Sequence, residues 1–153
     1  MFDINAEKQE GLMHVVQGLV DKATSRGDRP FAALLIDEQG NVIASATNTS
    51  VTTKNVAAHA EINLLGEAAK KLQTRDLSSY SIVVNAAPCP MCMTGLIKAK
   101  IRHLYYGAPM EKDANPFITP EEIASKSKLR VEITSGILAE DCQAQIARGR
   151  SRL

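Results

Sequence analysis

Long hydrophobic runs are missing from this chain of 153 residues. No stretch approaches the roughly 20 apolar residues of a membrane-spanning helix, so no membrane partner is expected. A lopsided charge is missing too. Eighteen lysines and arginines stand against 17 acids, a net charge of +1, which makes no strong electrostatic case for nucleic acid or a membrane surface. Cysteine is scarce: there are three, an odd count, two of them clustered in "CPMC". That speaks against a secreted disulfide scaffold and for a reducing, cytoplasmic setting. The opening "MFDINAEKQEG" has no basic stretch leading into an apolar one, so no signal peptide is expected. Repeats, low-complexity segments and linkers are also absent. Residues 1–153 therefore read as a single domain, large enough to bury a core without staples.

What is present begins with regular hydrophobic patterning. Glu7 to Arg26 reads as a helix with Leu12, Val15, Val16, Leu19, Val20 and Ala23 on one stripe, stopped by "GDRP". "FAALLID" and "VIASATN" read as strands around a turn at Glu38–Asn41. A helix from about Ala58 to Leu72 follows, burying Ile62, Leu64, Leu65 and Ala69. Then come a strand "SIVVN", a helix led by "CPMC", a strand "HLYYGA", and a short helix near Pro120–Ser125. A strand "LRVEITSG" and a closing helix "ILAEDCQAQIARGR" end the chain. Five strands interleaved with helices imply a sheet sandwiched by helices, hairpin-paired at one edge and parallel where helices intervene. Tyr105 and Tyr106 read as strand residues, at most one facing the core. Cys142 reads as a buried structural thiol beside Ile146. The tail residues Arg148, Arg150 and Arg152 read as a solvated end.

Chemistry concentrates in His59, Glu61, Cys89 and Cys92. Thiolate and imidazole together suit zinc, and Cys89 and Cys92 are spaced to clasp one ion on a single helical turn. Three protein ligands with no fourth at motif spacing leave a corner open for water, which is the catalytic pattern. His59 and Glu61 are two apart and point to different sides of a helix. They can share a site only if the ion sits over the helix tip, where first-turn side chains tilt toward the N-terminus. Pro90 suits a first turn, so the cysteine motif permits the same arrangement. Two helix dipoles then favour the thiolates. Two thiolates cancel the zinc charge, so water there needs a base, and Glu61 is placed to be one. Taken alone, Glu61 is only an acid suited to a helix N-terminus, and Cys89/Cys92 only a redox pair. Neither alternative uses the whole set.

"HAE" followed by "PCPMC" 30 residues on resembles the zinc-dependent cytidine/nucleobase deaminase superfamily, over roughly Pro30 to Ile146. The resemblance implies a three-layer α-β-α sandwich with a mixed five-stranded sheet. It implies Zn2+ as cofactor, hydrolytic loss of ammonia from an amidine-like ring carbon, and Glu61 as proton shuttle. It also implies a homodimer. Asn48, eleven residues before His59, matches an asparagine that hydrogen-bonds the ring. "PFAA", with Ala33, matches the strand whose backbone approaches the base. "VEITSGILAEDC" is similar to the branch with tRNA adenosine deaminases, and the HAE and PCxxC core is shared with guanine deaminases. Ala87 stands where many members have glutamate. The loop "GAPMEKDANPF" lacks the Asp-Lys-x-Gly-Ala run of the tRNA enzymes, and the tail lacks their aromatic-rich ending. Phe117 in that loop is a candidate to close over a flat ring or to anchor the loop. The expected substrate is therefore a purine-type base or nucleoside, guanine first. A tRNA adenosine, a cytosine-type base and a non-catalytic zinc module are the alternatives.

Overall fold

The computed structural model describes residues 4–151; residues 1–3 and 152–153, Arg152 among them, lie outside this range. Asn5 caps the first helix, α1 (Ala6–Arg26), by accepting from the Lys8 N–H at 2.8 Å. Gly27 ends it at φ +95, a left-handed conformation that glycine adopts without cost. Strands β1 (Ala32–Ile36) and β2 (Val42–Thr47) pair antiparallel as the expected hairpin. The Asp37 carboxylate closes the turn by accepting from the Gln39 and Asn41 N–H groups. Then follow α2 (Ala60–Leu72), β3 (Ser81–Ala86), α3 (Pro90–Lys98) and β4 (His103–Ala108). α4 (Pro120–Ser125), β5 (Glu132–Thr134) and α5 (Ala139–Arg150) complete the chain.

The sheet order is β2-β1-β3-β4-β5, with β1 antiparallel to β3 and β3, β4 and β5 mutually parallel. β2 and β3 thus run the same way on either side of β1, and α2 crosses over β1 to join them. β1 is buried at every position because helices cover both of its faces. One face carries α1 and α5 over Leu34, Ile36, Val83 and Tyr105. The other carries α2 and α3 over Leu35, Ile82, Val84, Leu104 and Tyr106. The expected α-β-α sandwich with its mixed five-stranded sheet is what forms.

Four local expectations need correction. Tyr105 and Tyr106 are both buried, because successive strand residues point to opposite faces and both faces are cores. Val15 is 48% exposed while Met13 is fully buried, so the inner stripe of α1 runs through Leu12, Met13, Val16, Val20 and Ala23. On α2 the buried positions are Ala60, Glu61, Leu64 and Ala68; Ile62, Leu65 and Ala69 are only half-buried. The strand seen in "LRVEITSG" shrinks to Glu132–Thr134 at the sheet edge. Cys142 and Ile146 are buried as expected. α5 lies so close to β4 there that a Cβ on Gly107 would sit 2.7 Å from the Cys142 sulfur. No helix among the described residues is long and apolar enough to cross a membrane.

Candidate active site

The site lies where β3 runs out. Ala87 and Pro88 carry the chain from β3 to Cys89, the N-cap residue of α3, with Pro90 in its first turn. His59 is the N-cap residue of α2. Both adopt the extended backbone usual for a cap, yet neither side chain bonds a free N–H of its own helix. Instead they face each other. The His59 Nδ1 lies 3.6 Å from the Cys89 Sγ and 3.4 Å from the Cys92 Sγ. The three ligand atoms lie within 4.8 Å of one another.

These separations fit zinc. Bonds of about 2.3 Å to sulfur and 2.0–2.1 Å to nitrogen, at a tetrahedral angle, place N and S about 3.6 Å apart. Among the described residues this is the one cluster of three metal-capable side chains, and a three-ligand zinc retains an open position. The expectation that the ion sits over helix tips agrees with where His59 and Cys89 stand.

The groups perturb one another strongly. The Cys92 thiol, with a contribution from His59, holds Cys89 down to about 4 despite burial. The Cys89 sulfur and burial push Cys92 up. The Cys89 hydrogen bond holds His59 above the usual imidazole value, against burial. An ion between the sulfurs deprotonates both. Glu61, in the first turn of α2, is 6% exposed and not one of the three clustered ligands. Burial pushes its carboxyl up to about 7; its own backbone N–H opposes this, and the charge on Cys89 adds to it. A carboxyl in that range can both take and return a proton near neutrality.

Asn48, Ala33 and Ala87 lie at the same end of the sheet. Asn48 directly follows β2 and is buried, its N–H donating to the Phe31 carbonyl at 3.0 Å. Ala33 sits on β1, paired with Ala46 and Val84 on either side. Ala87 is half-buried, with its N–H on the Ala108 carbonyl at 2.9 Å. Phe117 is 50% exposed and not part of either core. His14 is exposed; His103 is buried, stacked on Tyr105 and bonded to Thr134.

Sequence reasoning missed three polar residues that shape this region. Asn85 spans β1 and β3, its Nδ2 donating to the Pro30 carbonyl and its Oδ1 accepting from the Ala32 N–H. The signal was an amide at the end of an otherwise apolar strand. Asn63 on α2 donates to the Thr47 carbonyl and the Thr49 hydroxyl. Asp28, read only as part of a helix stop, is fully buried.

Residues 6–108 match the family described as the cytidine and deoxycytidylate deaminase zinc-binding region, and the chain belongs to that family. It is accordingly a zinc-dependent deaminase, a hydrolase of C–N bonds. The tRNA-specific adenosine deaminase of Haemophilus influenzae is 31% identical over 147 residues, covering 94% of this chain and 84% of its own length. The guanine deaminase of Nitrosomonas europaea superposes with a TM-score of 0.83 at 27% identity, over 93% of this chain and 84% of that one. A tRNA:A34 deaminase superposes with a TM-score of 0.77 at 27% identity, over 87% of this chain and 96% of that one.

Proposed function

We propose that the chain, as one deaminase domain, hydrolytically removes the exocyclic amine of a purine-type base or nucleoside, with guanine as the first candidate. The observation that carries the chemistry is a buried carboxyl, Glu61, beside a His/Cys/Cys cluster that does not include it. His59, Cys89 and Cys92 would hold zinc, which supplies the Lewis acidity that makes water a competent nucleophile near neutral pH. Glu61 takes one proton as water adds to the ring carbon and delivers it to the ring nitrogen, then takes the proton of the new hydroxyl and carries it to the amine, which leaves as ammonia as the C–N bond breaks. Its raised pKa suits both transfers. Asn48, the backbone at Ala33 and Ala87, and Phe117 would bind and orient the ring. Likeness to a guanine deaminase over most of the chain and a net charge of only +1 support a small substrate. Ammonia release from a panel of purine and cytosine-type bases and nucleosides tests this, and silence of the zinc-loaded protein across the panel would refute it.

The second reading is deamination of a tRNA adenosine, favoured by the similarity to tRNA-specific adenosine deaminases. It predicts inosine in an anticodon arm, formed with steep salt dependence because phosphate contacts would supply much of the affinity. A homodimer belongs to the same proposal, and light scattering on the purified chain tests it.

A further inference from the structure

The segment from Asn48 to Ala58 links β2 to α2 and delivers His59 to the site. Turns close it on itself, with the Thr49 N–H on the Ala58 carbonyl and the Asn55 N–H on the Ser50 carbonyl, and side chains from outside tie it to the body of the domain. Asp28, fully buried just beyond α1, accepts from both the N–H and the hydroxyl of Thr52 at 2.8 Å. The same carboxylate takes the Arg26 Nε at 2.6 Å. The guanidinium then reaches on, its Nη2 donating to the Thr47 hydroxyl at 2.9 Å and to the Asn48 carbonyl at 3.0 Å. A buried carboxylate is costly unless its lone pairs are filled. Here three donors fill them, and together they hold the Asp28 carboxyl below its ordinary value although burial alone would raise it.

The consequence falls on Asn48. Arg26 fixes its carbonyl, the Phe31 carbonyl fixes its N–H, and the Ser50 N–H and hydroxyl, at 2.9 and 2.8 Å, fix its amide oxygen. Its amide NH2 takes no part in these bonds, so a donor is presented in a set orientation. A donor suits a ring nitrogen or carbonyl oxygen of a base.

We propose that Asp28 and Arg26 are positioning residues that hold the Asn48 amide in its substrate-reading orientation, and so govern substrate affinity rather than turnover. This rests on the deaminase reading of Asn48 given above. Lysine could keep the charge opposite Asp28 but lacks the fork that reaches two acceptors at once.

Arg26→Lys in the full, zinc-loaded chain is the test, with guanine as substrate, or an anticodon arm if the wild type acts there instead. One misplaced hydrogen bond predicts a KM raised about tenfold, with kcat within about twofold. Zinc content should be unchanged, and amides of residues 48–52 should exchange faster. Asn48→Ala should raise KM by itself, and adding Arg26→Lys to it should change KM by less than about twofold, as coupled residues do. An unchanged KM in Arg26→Lys, an additive double variant, or a loss confined to kcat would overturn the proposal while leaving the deaminase reading intact. A wild type inactive on free bases and on tRNA overturns both. If Arg26→Lys fails to fold, Thr52→Val removes the hydroxyl that orients Asp28 and should raise KM about threefold. An unchanged value there is equally fatal.

Discussion

Four helix N-termini divide into two kinds. At α1 and α4 the cap side chain serves its own helix. Asn5 accepts from the Lys8 N–H, and Thr119 forms a reciprocal capping box with Glu122. At α2 and α3 the cap residues, His59 and Cys89, have the same backbone shape, but their side chains make no capping hydrogen bond and meet across the gap. The first pair trades nothing for stability. The second gives up about 1 kcal/mol of capping per helix and gains a metal-sized cluster with two positive dipole ends aimed at it. A position that normally closes a helix has been turned outward to make a site.

Removing a ligand breaks this contrast most severely. Cys92→Ala should lose zinc, measured by elemental analysis, and with it all measurable deamination. A chelator should do the same to the wild type. Glu61→Gln should keep zinc and fold normally while kcat falls by about 10²–10⁴, as expected for loss of a proton carrier. The same variant should show what the acid costs the fold. The folded-state pKa of Glu61 is raised to about 7, so the metal-free protein loses stability as pH rises from the unfolded value near 4.3 toward 7 and stays low above it. Metal-free Glu61→Gln should therefore be more stable than metal-free wild type at pH 8, by on the order of 3 kcal/mol, with the gap closing near pH 4. Denaturant melts at the two pH values check this.

Smaller effects sharpen the same contrast. His59→Asn cannot complete the zinc site in the same way but restores a true cap, so the metal-free variant should gain about 1 kcal/mol over metal-free wild type. Asn5→Ala should lose about 1 kcal/mol with kcat and KM unmoved, since that side chain caps its own helix rather than the metal cluster. Equal responses of both kinds of terminus would erase the distinction.

The succession of elements, the two helical layers and the four chemistry-bearing side chains were legible because each rests on short-range pattern: period-two and period-3.6 burial, and ligands spaced for a helix tip. What escaped was long-range or two-sided. Asp28 and Thr52 are 24 residues apart, and nothing in "GDRP" announces that its acid will be buried against a distant loop. Tyr105 and Tyr106 were misjudged because period-two reasoning assumes one wet face, whereas β4 has none. Met13 displaced Val15 because α5 joins α1 over the same face, rotating the inner stripe by a fraction of a turn while Leu12, Val16, Val20 and Ala23 stay on it. Asn85 was passed over because its partners, Pro30 before β1 and Ala32 at its start, are more than 50 residues away.

With β1 reversed between two like-directed neighbours, the sheet delivers the ends of β2, β3 and β4 and the beginning of β1 to one border. The opposite border holds the turn at Asp37–Asn41, the start of α1 beside Gly40, and the connections entering β3, β4 and β5. That border is where peptide tags, fluorophores or grafted segments can be spliced in: at Thr74–Asp76, for example, foreign sequence would extend into solvent on the side of the molecule remote from the chemistry.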